Sequence, residues 1–339
     1  MSGHRPRLDS LTQIGWTRRR LMRDGVSVAC LGVLAACGCV PSVEKIPRVG
    51  FVSPATADRE QFLQALRGIG RVEGQSMTFD WRTADEAAPQ LTPVVEELVR
   101  RPADVIATAG TITTQVAKGA TRTIPIVFFG VGDPVAVGLV ASLARPEGNV
   151  TGVTNIAPQA VGKGLEYLLK LAPRVARVAF VGNLAGNPGS LLQLAAAQSA
   201  AATIGVQIMA FGVRDAGDID RVFGSFSAVG VNAVMVGSDA ITINNRPRLV
   251  ELARQYRLPA IYSRREFADA GGLIALGPNY AALWVRLAVL VDKIIRGRVP
   301  GDLPVEQPTD TDLVVNATTA QALGITIPQA ILVQAEVVK

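Results

Sequence analysis

The sequence predicts an α/β protein of two doubly wound parallel-sheet lobes, and three observations predict it. Strand-like and helix-like runs alternate almost without a break from residue 48 to residue 295. Such βαβ repetition implies a parallel sheet covered on both faces. The alternation restarts after about residue 155, and some 300 residues beyond the N-terminal segment favour two domains of ordinary size over one.

Taken in order, residues 48–52 predict a strand ending at Ser53-Pro54. Residues 58–67 predict a helix, with Phe62, Leu63 and Leu66 at helical spacing before Gly68 and Gly70. Met77, Phe79 and Trp81 alternate as a strand, residues 91–99 are helical, and Val105-Ile106-Ala107 is a buried strand. A helix over 111–120 and a strand over 126–129 follow. The second half predicts helices over 163–171, 191–204, 219–229, 248–257 and 281–295, with strands over 178–181, 206–211, 233–236, 260–262 and 273–276.

The N-terminus predicts an export leader. Arg18, Arg19, Arg20 and Arg23 form a cationic block, residues 25–36 are apolar, and Leu34-Ala35-Ala36-Cys37 follows the lipoprotein pattern in which the cysteine is acylated and becomes the first mature residue. The apolar run is well short of the ~20 residues of a spanning helix. The arginines fit either a twin-arginine signal or an ordinary n-region. The expected organisation is a signal peptide over 1–36, lipidation at Cys37 and a tether over 37–45. Lobe one then takes 46–153 with about 278–302, and lobe two takes 154–277 with about 303–339.

His4, the single histidine, and all three cysteines, Cys30, Cys37 and Cys39, lie in the first 39 residues. The folded part therefore carries neither imidazole nor thiol, which argues against an enzyme and against a transition-metal site. Of the net charge of +6, the leader holds +4, leaving +2 and no basic face for nucleic acid. Dinucleotide and nucleotide fingerprints fail: Gly130-Val131-Gly132 runs into Asp133-Pro134, and no lysine follows a glycine loop. No cofactor is expected. Arg264-Arg265-Glu266 admits an anion site, but three adjacent charges after a strand more often form a solvated helix start, and that is the expectation here.

Ligands of open parallel sheets sit beyond the carboxyl ends of the strands. Here those ends carry Ser53, Gly110 with Thr111 and Thr113, Asp133, Asn155, Asn183, Asp239 and Tyr262, small or polar positions suited to a compact solute. Each also has an ordinary structural reading, as a cap, a turn residue or a solvated carboxylate. Phe128, Phe129 and Tyr262 are the candidates for stacking, whereas Trp81 and Trp284 fall in core patterns.

The stretch 121–128, Gly132-Asp133-Pro134-Val135, residues 138–146 and Gly148-Asn149-Val150-Thr151-Gly152 resemble the tryptophan/tyrosine-type substrate-binding proteins of bacterial ABC transporters. So do Leu258-Pro259-Ala260-Ile261-Tyr262, Ala270-Gly271-Gly272-Leu273, Gly277-Pro278-Asn279, residues 303–309 and residues 322–328. The resemblance spans roughly 46–336. It implies a type I periplasmic-binding fold, with three crossovers as hinges at 152–155, 277–279 and 303–308 and a ligand enclosed between the lobes. Aromatic amino-acid binders of the family tend to carry Asp-Asn where this chain has Asp239-Ala240. The implied function is a monomeric periplasmic lipoprotein that hands a small solute, an amino acid or similar zwitterion, to a permease and its ATPase. The same fold serving a signalling receptor is the alternative. Asp239 is the expected ammonium partner, with Asp133 in reserve, and Thr111, Thr113 and nearby amides are expected at the carboxylate.

Overall fold

The computed structural model describes residues 45–339 apart from 57, 85–89, 102 and 156. The expected leader and Cys37 lie outside the described residues. Lobe one is built on β1 (Arg48–Ser53), β2 (Thr78–Thr83), β3 (Val105–Ala109), β4 (Ile126–Val131) and β5 (Val150–Thr154). These pair in the order β2-β1-β3-β4-β5, all parallel. Helices α1 (Asp58–Gly68), α2 (Leu91–Arg100) and α3 (Thr111–Ala120) connect the strands.

Residues along these strands serve two cores in turn. Val49 and Phe51 face one and Val52 the other; Val105, Ala107 and Ala109 face the first and Ile106 the second; Val127 and Phe129 oppose Ile126 and Phe128. A period of two, apolar on both faces, is what a sheet sandwiched between helices requires.

Lobe two holds seven strands in the order β12-β11-β10-β9-β8-β6-β7. Its first part comprises α4 (Ala157–Leu171), β6 (Arg177–Gly182), α5 (Pro188–Ile204), β7 (Gln207–Gly212), α6 (Ala216–Val229) and β8 (Ala233–Val236). Then come α7 (Ala240–Asn244), α8 (Arg246–Gln255), β9 (Ala260–Tyr262), α9 (Arg265–Asp269) and β10 (Ile274–Pro278). One departure from an all-parallel sheet appears at its edge. There β11 (Thr311–Asn316) runs antiparallel to β10, and the short β12 (Glu336–Val338) is parallel to β11.

Helix α10 (Tyr280–Ile295) returns to lobe one, where Leu283, Trp284, Leu287 and Val291 are buried with the β1 and β4 side chains. Trp284 is 1% exposed and stacks on Phe129 with centroids 3.6 Å apart. Truncating a ring so placed costs on the order of 3–5 kcal/mol. Leu303 and Val305 also pack in lobe one, so the chain leaves it a few residues later than the expected boundary at 303.

Three connections cross side by side. Thr154 N–H donates to the Glu306 carbonyl at 2.9 Å, Glu306 N–H to the Gly152 carbonyl at 2.9 Å, and Asn279 N–H to the Asp310 carbonyl at 3.3 Å. A Cβ on Gly277 would overlap the Ser263 carbonyl oxygen, so only glycine lets β10 reach the crossover against the β9 turn.

Candidate functional site

The carboxyl ends of both sheets face each other across a cavity of about 70 Å³. At ~10–15 Å³ per water it holds several, more than a packing defect would. Lobe one contributes Asp58, Gly110, Thr111, Phe129 and Tyr280; lobe two contributes Asn187, Gln193, Asp239 and Arg264, and Asn155 lies on the crossover. A second chamber of about 30 Å³ shares Asn155, Gln193, Ser238 and Tyr280 with the first and continues into lobe two between Val161, Phe180, Met235, Ile261 and Leu276. One chamber is polar and charged; the other is apolar.

The lobes touch around this cavity. Asn244 Nδ2 donates to the Pro54 carbonyl at 3.0 Å, and the Arg264 guanidinium carbon lies 3.9 Å from the centroid of the Tyr280 ring. A Cβ on Gly189 would come 3.1 Å from Thr111 Oγ1, so a side chain there would press on the facing lobe.

Four of the positions expected from sequence line the larger cavity: Gly110, Thr111, Asn155 and Asp239. Gly110 has φ 88°, which turns β3 into α3 and sets Thr111, 5% exposed, at the helix start on the cavity wall. Tyr262 lines the smaller chamber, its ring stacked on Phe267 at 4.6 Å. Its hydroxyl is buried without a hydrogen-bond partner, and burial pushes its pKa up.

The others lie outside both cavities, each for a local reason. Ser53 Oγ is turned onto Asp58 Oδ2 at 2.6 Å. Thr113 is fully buried, with its hydroxyl unpartnered. Asp133 Oδ1 accepts the backbone N–H groups of Val135 and Ala136, at 3.1 and 2.9 Å, and caps the turn after β4. Asn183 Oδ1 accepts the Gly186 N–H at 3.1 Å. Of the stacking candidates, Phe128 is wholly in the core, while Phe129 lines the cavity with its face already on Trp284.

Asp239 corrects the expectation of a solvated turn carboxylate. It is 4% exposed and caps α7: Oδ1 accepts the Thr242 N–H at 3.0 Å, and Oδ2 accepts the Asn183 N–H at 2.8 Å and Ser190 Oγ at 3.1 Å. Burial pushes its pKa up against the pull of these bonds. Asp239 and the Thr242 three residues on form a reciprocal capping box, a spacing visible in the sequence.

Sequence reasoning missed Asp58, Gln193 and Tyr280, and set Arg264 aside as solvated. Arg264 is no solvated helix start: it is 6% exposed and sits just beyond the carboxyl end of β9, which favours the anion-site reading of that triplet. Asp58, 6% exposed, opens α1 and lines the cavity. Its pKa is raised by burial, against the pull of the Arg264 charge and the Ser53 hydroxyl. Gln193 holds the Ser238 backbone, with Oε1 accepting its N–H at 2.9 Å and Nε2 donating to its carbonyl at 3.3 Å.

A two-lobed α/β fold with a mixed polar and apolar interlobe cavity can enclose a small solute, and a family model described as ABC transporter substrate binding protein matches residues 52–339. The chain belongs to that family. This substrate-binding protein is 26% identical over 267 residues to the tyrosine-binding protein of Clostridioides difficile, covering 79% of this chain and 76% of the relative. A conserved domain protein from Vibrio cholerae has a crystal structure 28% identical, covering 87% of this chain and 100% of its own, with a TM-score of 0.81. A domain from Streptococcus pneumoniae in complex with L-Trp, 23% identical, covers 86% of this chain and 99% of its own at a TM-score of 0.78, a likeness of fold. The ligand-free, open structure of a Clostridium difficile substrate binding protein, 26% identical and covering 87% and 99%, fits at 0.62. The family is one of substrate-binding proteins, not of enzymes. Among the described residues no helix of this substrate-binding protein is long and apolar enough to cross a membrane, and no three His, Cys, Asp or Glu side chains gather as a metal site.

Proposed function

We propose that this protein is an exported, lipid-anchored component of an ABC importer that captures an α-amino acid between its lobes and presents it to a permease. The observation that carries the reading is the pairing of a charged chamber, with Asp58 on one lobe and Arg264 on the other, with an apolar chamber that adjoins it. A zwitterionic backbone suits the first and an apolar side chain the second. The tyrosine-binding relative and the L-Trp complex support an amino acid with a large apolar side chain.

In this reading Gly110, Thr111 and Asn155 contact the ligand backbone, Tyr262 walls the side-chain chamber, and Asp239 holds the loop that carries Ser238. Ser53 acts through Asp58, whose Oδ1 is left without a donor among the described residues. Asp58 therefore replaces Asp239 as the ammonium partner. Capture is a population shift: the ligand contacts both lobes only when they close, so its differential affinity favours the closed state.

The test is thermal unfolding and solution scattering with each standard amino acid, a hexose, a nucleoside and a dicarboxylate. An amino acid should raise the melting temperature by mass action and compact the protein. A shift with one of the other solutes and with no amino acid would remove the assignment.

A further inference from the structure

We propose that Arg264 is the carboxylate anchor of the cleft and couples ligand binding to closure; this rests on the amino-acid reading above. A buried arginine that serves only the fold has its N–H groups bonded to carboxylates or carbonyls, because an unpaired buried charge is costly. Arg264 does not follow that rule. Its Nε is buried without a hydrogen bond, and its nearest carboxylate oxygen, Glu266 Oε2, lies 3.8 Å away, beyond bonding range, and is itself unbonded. The Asp58 carboxylate influences it only through space.

What holds the guanidinium is the Tyr280 ring, 3.9 Å from its central carbon. A guanidinium seated over an aromatic ring is held there without using any of its donors. Arg264 also lines the cavity, and a guanidinium fork there can take a carboxylate in two-point geometry. Of the described acidic and basic side chains lining that cavity, Asp58, Asp239 and Arg264, only Arg264 is cationic, and Asp239 already accepts three protein donors. Asp58 and Arg264 therefore set the polarity: ammonium toward α1, carboxylate toward β9. Arg264 follows β9 of lobe two and Tyr280 opens α10 of lobe one, so the contact that holds the anchor spans the two lobes.

The experiment is calorimetry of the full mature protein with L-tyrosine and L-tryptophan, and with tyramine and tryptamine, which lack the carboxylate. The proteins are wild type, Arg264→Gln and Arg264→Lys. Losing one partner of a desolvated charge pair predicts that Arg264→Gln weakens the amino acids by about 30-fold or more, and Arg264→Lys by less. The amines should bind wild type and Arg264→Gln within threefold of each other. Melting of the unliganded Arg264→Gln protein should be unchanged or higher, since an unbonded buried charge is removed; a lower melting temperature would mark Arg264 as structural. Wild-type binding of L-tyrosine or L-tryptophan with Arg264→Gln and Arg264→Lys within threefold would overturn the anchor and leave the amino-acid reading standing. Wild type that binds neither amino acid would overturn the reading and the anchor with it.

Discussion

Asp239 Oδ2 accepts the backbone N–H of Asn183 at 2.8 Å, so one carboxylate at the end of β8 closes the loop that leaves β6. The same oxygen takes Ser190 Oγ, and the other caps α7. Three donors, from one loop and two helix starts, converge on a group that is 4% exposed.

Replacing Asp239 with alanine should therefore destabilise the fold. A lost cap costs ~1 kcal/mol and a buried donor left unsatisfied costs ~1–3 kcal/mol. Urea unfolding of Asp239→Ala should show a loss on the order of 2–4 kcal/mol, with ligand affinity falling as a consequence of the displaced Ser238 loop. A midpoint equal to wild type would show that water replaces the carboxylate at no cost.

Binding should depend on pH through Asp58. Burial raises its pKa above the ordinary 3.8, so the carboxylate takes up a proton earlier than a solvated aspartate as the solution is acidified. A ligand ammonium needs the ionised form, so affinity should be full at neutral pH and fall as pH drops through the raised value. For the unliganded fold the sign is opposite: the folded chain holds that proton more tightly, so the group opposes folding increasingly as pH rises through the same window. Calorimetry across pH 4–7, compared with Asp58→Asn, measures this. The variant should bind weakly and without the slope.

Tyr262→Phe should leave stability unchanged or raise it by up to about 1 kcal/mol, because the hydroxyl is buried without a partner and its removal breaks no hydrogen bond. The stack on Phe267 remains. A loss of more than 1 kcal/mol in urea unfolding would mean that an ordered water satisfies the hydroxyl.

The anchor is tested at Cys37. Several acyl chains hold a protein at a membrane where one is marginal, so Cys37→Ala should move the protein from the membrane fraction to a soluble one. Unchanged partition, with no lipid mass on the mature N-terminus, would remove the lipoprotein assignment.

The alternation of strand and helix was legible because a strand covered on both faces must be apolar along its whole length, and 105–107, 126–129 and 233–236 show that directly. β5 was not read as a strand, since Thr151 and Gly152 interrupt its apolar run. Nor was β11, whose apolar run Leu313-Val314-Val315 is only three residues long between polar ones, nor β12, which stays largely exposed and so carries no burial pattern.

By itself the sequence determined the two-lobed class, the family and the set of strand ends from which a site could be drawn. These follow from local periodicity and from motifs in order. Only the tertiary structure decided which of those ends share a cavity. Burial of a charge depends on what another part of the chain lays over it: α1 and α10 of lobe one meet β9 of lobe two, and this brings Asp58, Tyr280 and Arg264 together. The same logic turned Asp239 inward, because its three donors come from Asn183, Ser190 and Thr242, two of them far along the chain. Periodicity records which face of an element is covered; it carries no record of the opposing lobe.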